Sequence, residues 1–185
     1  MINSPLQASS VEILITGGTL DKDYQPLNGE LVFPAEGTQS HVVELLRQAN
    51  LSPESAPKLN FLMQIDSLQM KKKQRLEIAL AALHSSAQQL VITHGTDTMV
   101  KTANKLLKLM HSTPEFSELN RKTIVLTGAM RPFALGQSDA SFNLGAALIA
   151  AQTLPPGVYI CMNGNIHHGD KVLKDYQQGR FVATA

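Results

Sequence analysis

Five short apolar runs recur along the chain, each separated from the next by a longer stretch with helical spacing. This alternation limits the fold more than any other feature. The runs lie at residues 11–16, 59–65, 90–93, 123–127 and 158–162. They are rich in residues that suit a pleated, buried surface. Between them, Val42, Leu45, Leu46 and Ala49 share a helical face. So do Leu76, Ala79, Leu80 and Leu83, and then Met99, Ala103, Leu106, Leu107 and Met110. A fourth helix is expected to start near Ser138 and Asp139, good capping residues, and to run through Ala150 before Pro155-Pro156-Gly157 ends it. Strands alternating with helices need crossover connections. The pattern therefore predicts a three-layer α-β-α, flavodoxin-like, doubly wound and mostly parallel sheet.

Composition narrows the class further. Hydrophobic residues make up 43% of the 185 and charged residues 17%. That is too apolar for disorder and too poor in charge for a coiled coil. The net charge of +1 supplies no global field for nucleic acid or an anionic membrane, so neither is expected as a partner. No run approaches the ~18 apolar residues of a membrane span. Cys161 is the one cysteine and has no internal disulfide partner; it is expected in the core of a cytoplasmic protein. Residues 1–10 read as an arm and residues 11–185 as a single domain. Residues 20–34 read as a long polar loop after the first strand, long enough to be functional.

In a doubly wound sheet, ligands bind beyond the carboxyl ends of the strands, where strand order reverses. With the order 2-1-3-4-5, that crevice lies between the first and third strands. The first ends in Thr16-Gly17-Gly18-Thr19 and the third in Thr93-His94-Gly95-Thr96-Asp97-Thr98. Each presents glycine followed by threonine, so backbone N–H groups and a hydroxyl can approach a small ligand. Either motif alone is explained by a tight turn and a helix cap. Both at neighbouring strand ends point to a shared site. A dinucleotide fingerprint and a phosphate loop are both absent.

Thr16-Gly17-Gly18-Thr19-Leu20 and His94-Gly95-Thr96-Asp97-Thr98-Met99 resemble the two signature motifs of the bacterial-type L-asparaginase family. Asp66-Ser67, Gly128-Ala129-Met130-Arg131-Pro132 with Ser138-Asp139, and the stretch from Met162-Asn163 to Lys174 resemble three more of its segments, in order. The resemblance covers that family's N-terminal domain; its full-length members carry a second domain that helps close a neighbouring subunit's site.

The resemblance implies hydrolysis of the side-chain amide of L-asparagine, or of a related small amide, without a cofactor or metal. Thr19 matches the attacking hydroxyl. Thr96, Asp97 and Lys174 match the Thr-Asp-Lys group, with Tyr24 expected beside the nucleophile. Gly18 and Gly95 flank the threonines. Asp66 and Ser67 would hold the substrate carboxylate, and the Ala129 carbonyl would face the leaving amide. The chemistry needs these types: a threonine hydroxyl is a weak nucleophile until a base takes its proton, and lysine can be that base. Gln69 stands where many relatives carry an acid. Two other readings use the same pocket: a binding protein for aspartate or asparagine, or the ammonia-supplying subunit of an amidotransferase. Self-association, with a dimer as the commonest solution, is expected.

The remaining features have plainer readings. Lys71-Lys72-Lys73 is expected to be a solvated face, and adjacent His167 and His168 to diverge. His94 is expected to be packed and hydrogen-bonded, and Arg131 to make a structural salt bridge.

Overall fold

A computed structural model describes residues 11–35 and 39–184. The arm at residues 1–10 lies outside the described residues. Along the chain come β1 (Glu12–Gly17), β2 (Asp23–Gln25), β3 (Glu30–Val32), α1 (His41–Gln48), β4 (Lys58–Ile65), α2 (Lys72–His84) and β5 (Gln89–Thr93). There follow α3 (Met99–Ser112), β6 (Thr123–Thr127), α4 (Ala140–Thr153), β7 (Gly157–Met162), β8 (Asn165–His168), β9 (Val172–Asp175) and β10 (Arg180–Ala183).

The main sheet has the order β4-β1-β5-β6-β7-β8. The first five pair in parallel, as the alternation predicts, and β8 is added antiparallel to β7. Side chains alternate between the two faces with the period of the pleat. Leu14, Leu90, Ile92, Leu126 and Ile160 point into one core with Ile78, Ala79 and Ala82 of α2 and Ala103 and Leu106 of α3. Ile13, Ile15, Val91, Val125 and Tyr159 point into the other, with Val42 and Leu45 of α1 and Leu144, Ala147 and Ala151 of α4. Full burial of one such aliphatic side chain is worth about 1.5–3 kcal/mol, so both helical layers are firmly held. Cys161 is buried in the second core, and burial pushes its thiol up to about 11. Among the described residues, no helix is long and apolar enough to cross a membrane.

Several local expectations are corrected. Residues 20–34 are not an open loop: β2 and β3 form an antiparallel hairpin, turned at Asn28-Gly29 with Gly29 at φ 75°. In α2 the buried face is Ile78, Ala79 and Ala82; Leu76 and Leu80 share a face that stays largely exposed. β4 is an edge strand, so Leu59 and Phe61 remain exposed although the run reads as buried. At the start of α4, Ser138 Oγ accepts from Ala140 N, while the Asp139 carboxylate turns instead to Met130 N and Arg131 N. Arg131 makes no salt bridge among the described residues; it donates to the Gly136 and Leu135 carbonyls. The adjacent histidines of β8 diverge, as expected: His168 packs on Tyr159 at 5.1 Å, away from the half-buried His167.

Candidate active site

Strand order reverses between β1 and β5, and glycine contacts lock the strand ends there. Gly17 and Gly18 have φ of 90° and 88°, a region that L side chains rarely adopt. A Cβ on Gly18 would lie 2.4 Å from the Gly95 nitrogen, so the two motif turns meet backbone to backbone. A Cβ on Gly95 would lie 2.7 Å from the Ser67 side chain, and one on Gly128 2.3 Å from the His94 carbonyl oxygen. The ends of β1, β4, β5 and β6 are thus packed without room for one methyl group. Thr19 and Thr96 each follow one of the two touching glycines and open two short helical turns, Thr19–Asp21 and Thr96–Thr98.

Lys174 arrives from β9, far along the chain. Its Nζ donates to Thr96 Oγ1 at 2.7 Å and to Asp97 Oδ1 at 2.6 Å. Its side chain is only 10% exposed, so this ion pair is shielded from water on the lysine side. Tyr176 covers the ammonium with its ring at 5.0 Å and donates its hydroxyl to the Asp97 carbonyl at 3.2 Å. Sequence reasoning misses this residue, which carries no motif of its own.

The Thr19 hydroxyl has no hydrogen-bond partner among the described residues, and Thr19 is half-buried. Tyr24 sits on β2, half exposed, with its hydroxyl beside Gly29 at the hairpin turn. Ser67 is 2% exposed; its hydroxyl accepts from Thr98 N at 3.3 Å and its carbonyl from Thr98 Oγ1 at 2.7 Å. The Asp66 carboxylate pairs with Lys22 at 2.5 Å and accepts from Leu68 N. Burial works to raise that carboxyl, but Lys22 and the Leu68 N–H together outweigh it and hold it below its ordinary value. Ala129 is fully buried at the end of β6.

His94 is fully buried. One ring nitrogen meets the Gly95 carbonyl at 2.8 Å and the other meets Thr102 Oγ1 at 2.8 Å. Burial pushes its pKa down to about 4, so the ring is neutral and braces the turn, as expected for a packed histidine.

A second network, which sequence reasoning also misses, supports the site from below. Asn143 Nδ2 donates to the Gly128 carbonyl and to Asp139, which accepts from the backbone of Met130 and Arg131. Asn143 Oδ1 accepts from Asn163 N, and Asn163 Oδ1 accepts from Phe181 N. Phe181 stands opposite Lys174 in the β9–β10 ladder. The chain of amides therefore ties the Gly128–Arg131 segment to the strand that delivers the lysine. The signal in the sequence is Asn143 itself, a polar residue on the inner face of an apolar helix.

The comparisons with known proteins bear on the family and the fold. The family model described as "Asparaginase, N-terminal" matches residues 10–180. The chain belongs to the asparaginase family. This asparaginase-family domain is 33% identical over 180 residues to a glutamyl-tRNA(Gln) amidotransferase subunit of Methanococcus vannielii, covering 92% of the chain and 40% of that protein. It is 33% identical over 183 residues to the subunit of the same name from Pyrococcus furiosus, covering 92% and 39%. Among solved structures, it matches the thermostable L-asparaginase from Thermococcus kodakarensis with a TM-score of 0.73 and 25% identity, covering 94% of the chain and 50% of that protein. The probable cytoplasmic L-asparaginase from Campylobacter jejuni matches with a TM-score of 0.72 and 27% identity, over 95% and 53%. The asparaginase-family chain thus spans about two fifths of these amidotransferase subunits and about half of these asparaginases.

Proposed function

We propose that the chain hydrolyses the side-chain amide of a small amino acid, L-asparagine foremost, and releases ammonia. The observation that carries this reading is the Lys174 ammonium held between Thr96 Oγ1 and Asp97 Oδ1 at 2.7 and 2.6 Å, beside the Gly18–Gly95 contact. Thr19 Oγ1 attacks the amide carbon. The new C–O bond forms, the C–N bond breaks, and the hydroxyl proton leaves on ammonia. Water then adds to the ester carbon, one of its protons returns to Thr19, and the carboxylic acid departs. Thr96 and Lys174 relay the proton of that water, and Asp97 keeps the lysine in register. Backbone N–H groups of the two turns receive the oxyanion, each such donor being worth about 3–4 kcal/mol of barrier. Ser67 and the Asp66 segment hold the substrate carboxylate, and the Ala129 carbonyl faces the leaving amide. Tyr24, carried on the β2–β3 hairpin, takes part in deprotonating Thr19. No cofactor enters this scheme. The domain works as part of a larger assembly, a dimer in the simplest case.

The test is ammonia release across asparagine, glutamine and related amides, for the wild-type chain and for Thr19→Ala and Thr96→Ala. Loss in both variants supports the reading; equal rates in all three proteins overturn it.

A second reading is favoured by the amidotransferase subunits among the relatives. Here the same chemistry supplies ammonia to a synthetase-like partner. Co-purification with such a partner, and amide hydrolysis that rises when it is present, would distinguish this from a free-standing hydrolase.

A further inference from the structure

On the outer side of the α2–α3 layer, Lys72 and Arg75 of α2 and Lys101, Lys105 and Lys108 of α3 line one cleft of about 430 Å³. Among the described residues, no acidic side chain lines it. The α3 lysines fall at i, i+4 and i+7, so they share one face while Ala103, Leu106 and Met110 turn to the core. Among the described residues, none of the five pairs with a carboxylate. Like charges at these spacings repel. Lys72 also stands in the first turn of α2, where the helix dipole disfavours a cation and no acid offsets it. The whole chain is nearly balanced, with 16 basic and 15 acidic residues, so this grouping is local.

Arg75 is the fixed member of the group. Its guanidinium donates to the Met70 carbonyl at 2.5 Å and to Thr98 Oγ1 at 2.7 Å, and its buried Nε has no partner among the described residues. Holding the fork in place removes much of the ordering cost that an anion would otherwise impose.

We propose that this cleft binds a compact, multiply charged phosphate anion of the di- or triphosphate class. Lysines act as point charges that meet the phosphoryl oxygens, and Arg75, held on the Met70 and Lys71 carbonyls and Thr98 Oγ1, adds a fixed positive charge to the cleft. The cleft volume is that of a small-molecule site. Among the described residues, no aromatic ring lines it, so a nucleotide base gains no stacking there and the phosphate chain is what is recognised. A nucleic acid fits less well, since a nucleic-acid-binding domain is typically strongly basic overall, whereas the pI here is about 7.9.

The test is calorimetric titration of the full chain with inorganic tripolyphosphate, and with ATP as a second arm. One-to-one binding with Kd on the order of 10–100 μM is expected, similar for both ligands and weakened by salt. The Lys101→Glu/Lys105→Glu variant should weaken it about tenfold or more. Should that variant misfold, Lys101→Gln/Lys108→Gln at exposed positions replaces it. Absence of one-to-one binding, an unchanged affinity in the folded variant, or binding of a duplex RNA more tightly than tripolyphosphate would overturn the proposal. ATP bound far more tightly than tripolyphosphate would overturn the claim that only the phosphate chain is read.

Discussion

Lys174 Nζ lies 2.7 Å from Thr96 Oγ1, although the two residues are 78 positions apart, one on β9 and the other in the helical turn that follows β5. β5 carries the threonine turn and β9 the lysine, and Asp97 closes the triangle at 2.6 Å. Replacing the amine with an apolar chain of similar length should leave the fold intact and remove the proton path. Lys174→Met is expected to lower ammonia release about 10²–10⁴-fold, the usual worth of a positioned acid–base group. The steady-state rate constant kcat should fall more than KM rises, and circular dichroism should report a native fold.

The Gly18–Gly95 contact predicts a strong effect for the smallest substitution. Gly18→Ala adds a methyl group 2.4 Å from a backbone nitrogen and strains a φ of 88°. A cost of at least about 2 kcal/mol is expected, or ~4–8 °C in Tm, together with loss of activity as the two turns part. Gly136→Ala is the control: φ is 64° but a Cβ meets nothing within 4 Å, so only the backbone strain of about 1 kcal/mol remains.

Stability should fall in mild acid because of His94. The buried ring has its pKa pushed down to about 4, whereas an unfolded histidine titrates near 6.5. Between these values the unfolded chain binds a proton that the native chain does not. Stability is therefore intact above pH 6.5 and drains away as the pH falls toward 4, by about 3 kcal/mol for this group. The depressed Asp66 carboxyl acts in the same direction at lower pH. Urea titrations at pH 7, 5.5 and 4.5 measure the slope, and it should flatten in His94→Gln even if that variant is less stable at pH 7.

The amide chain from Gly128 to Phe181 predicts damage at a distance. Asn143→Leu keeps the branched shape but strands the Gly128 carbonyl, at about 1–3 kcal/mol for a buried orphan group, and removes the acceptor of the Asn163 N–H. It should also lower activity, since Phe181 pairs with Lys174 across β9–β10. Asn163→Ala should reproduce the loss of activity with a smaller loss of stability, because Asn163 is exposed. Chemical denaturation and ammonia release read the two effects separately.

Much of the architecture follows from local pattern. The five parallel strands and four helices are legible in the periodicity, because a strand that is covered on both faces must be apolar throughout and a helix packed on it must be amphipathic. The two hairpins escape such a reading, since β2–β3 and β9–β10 are only three or four residues a strand and only partly buried, leaving no long apolar run. The inner face of α2 is misread for a related reason. Its core positions are Ile78, Ala79 and Ala82, whose small alanines give a weaker signal than Leu76 and Leu80 on the outer face.

The sequence by itself marked the two glycine–threonine turns at the ends of apolar strands, where ligands bind in a doubly wound sheet; glycine is required at 17 and 18 by their φ angles and at 95 by the close approach of Ser67. Only the tertiary structure decided that Lys174 reaches Thr96 and Asp97, that Tyr176 covers it, and that five cations from α2 and α3 share one cleft. Such contacts join residues from different elements. Their distances depend on how whole helices and strands pack, a property that no local stretch of sequence encodes.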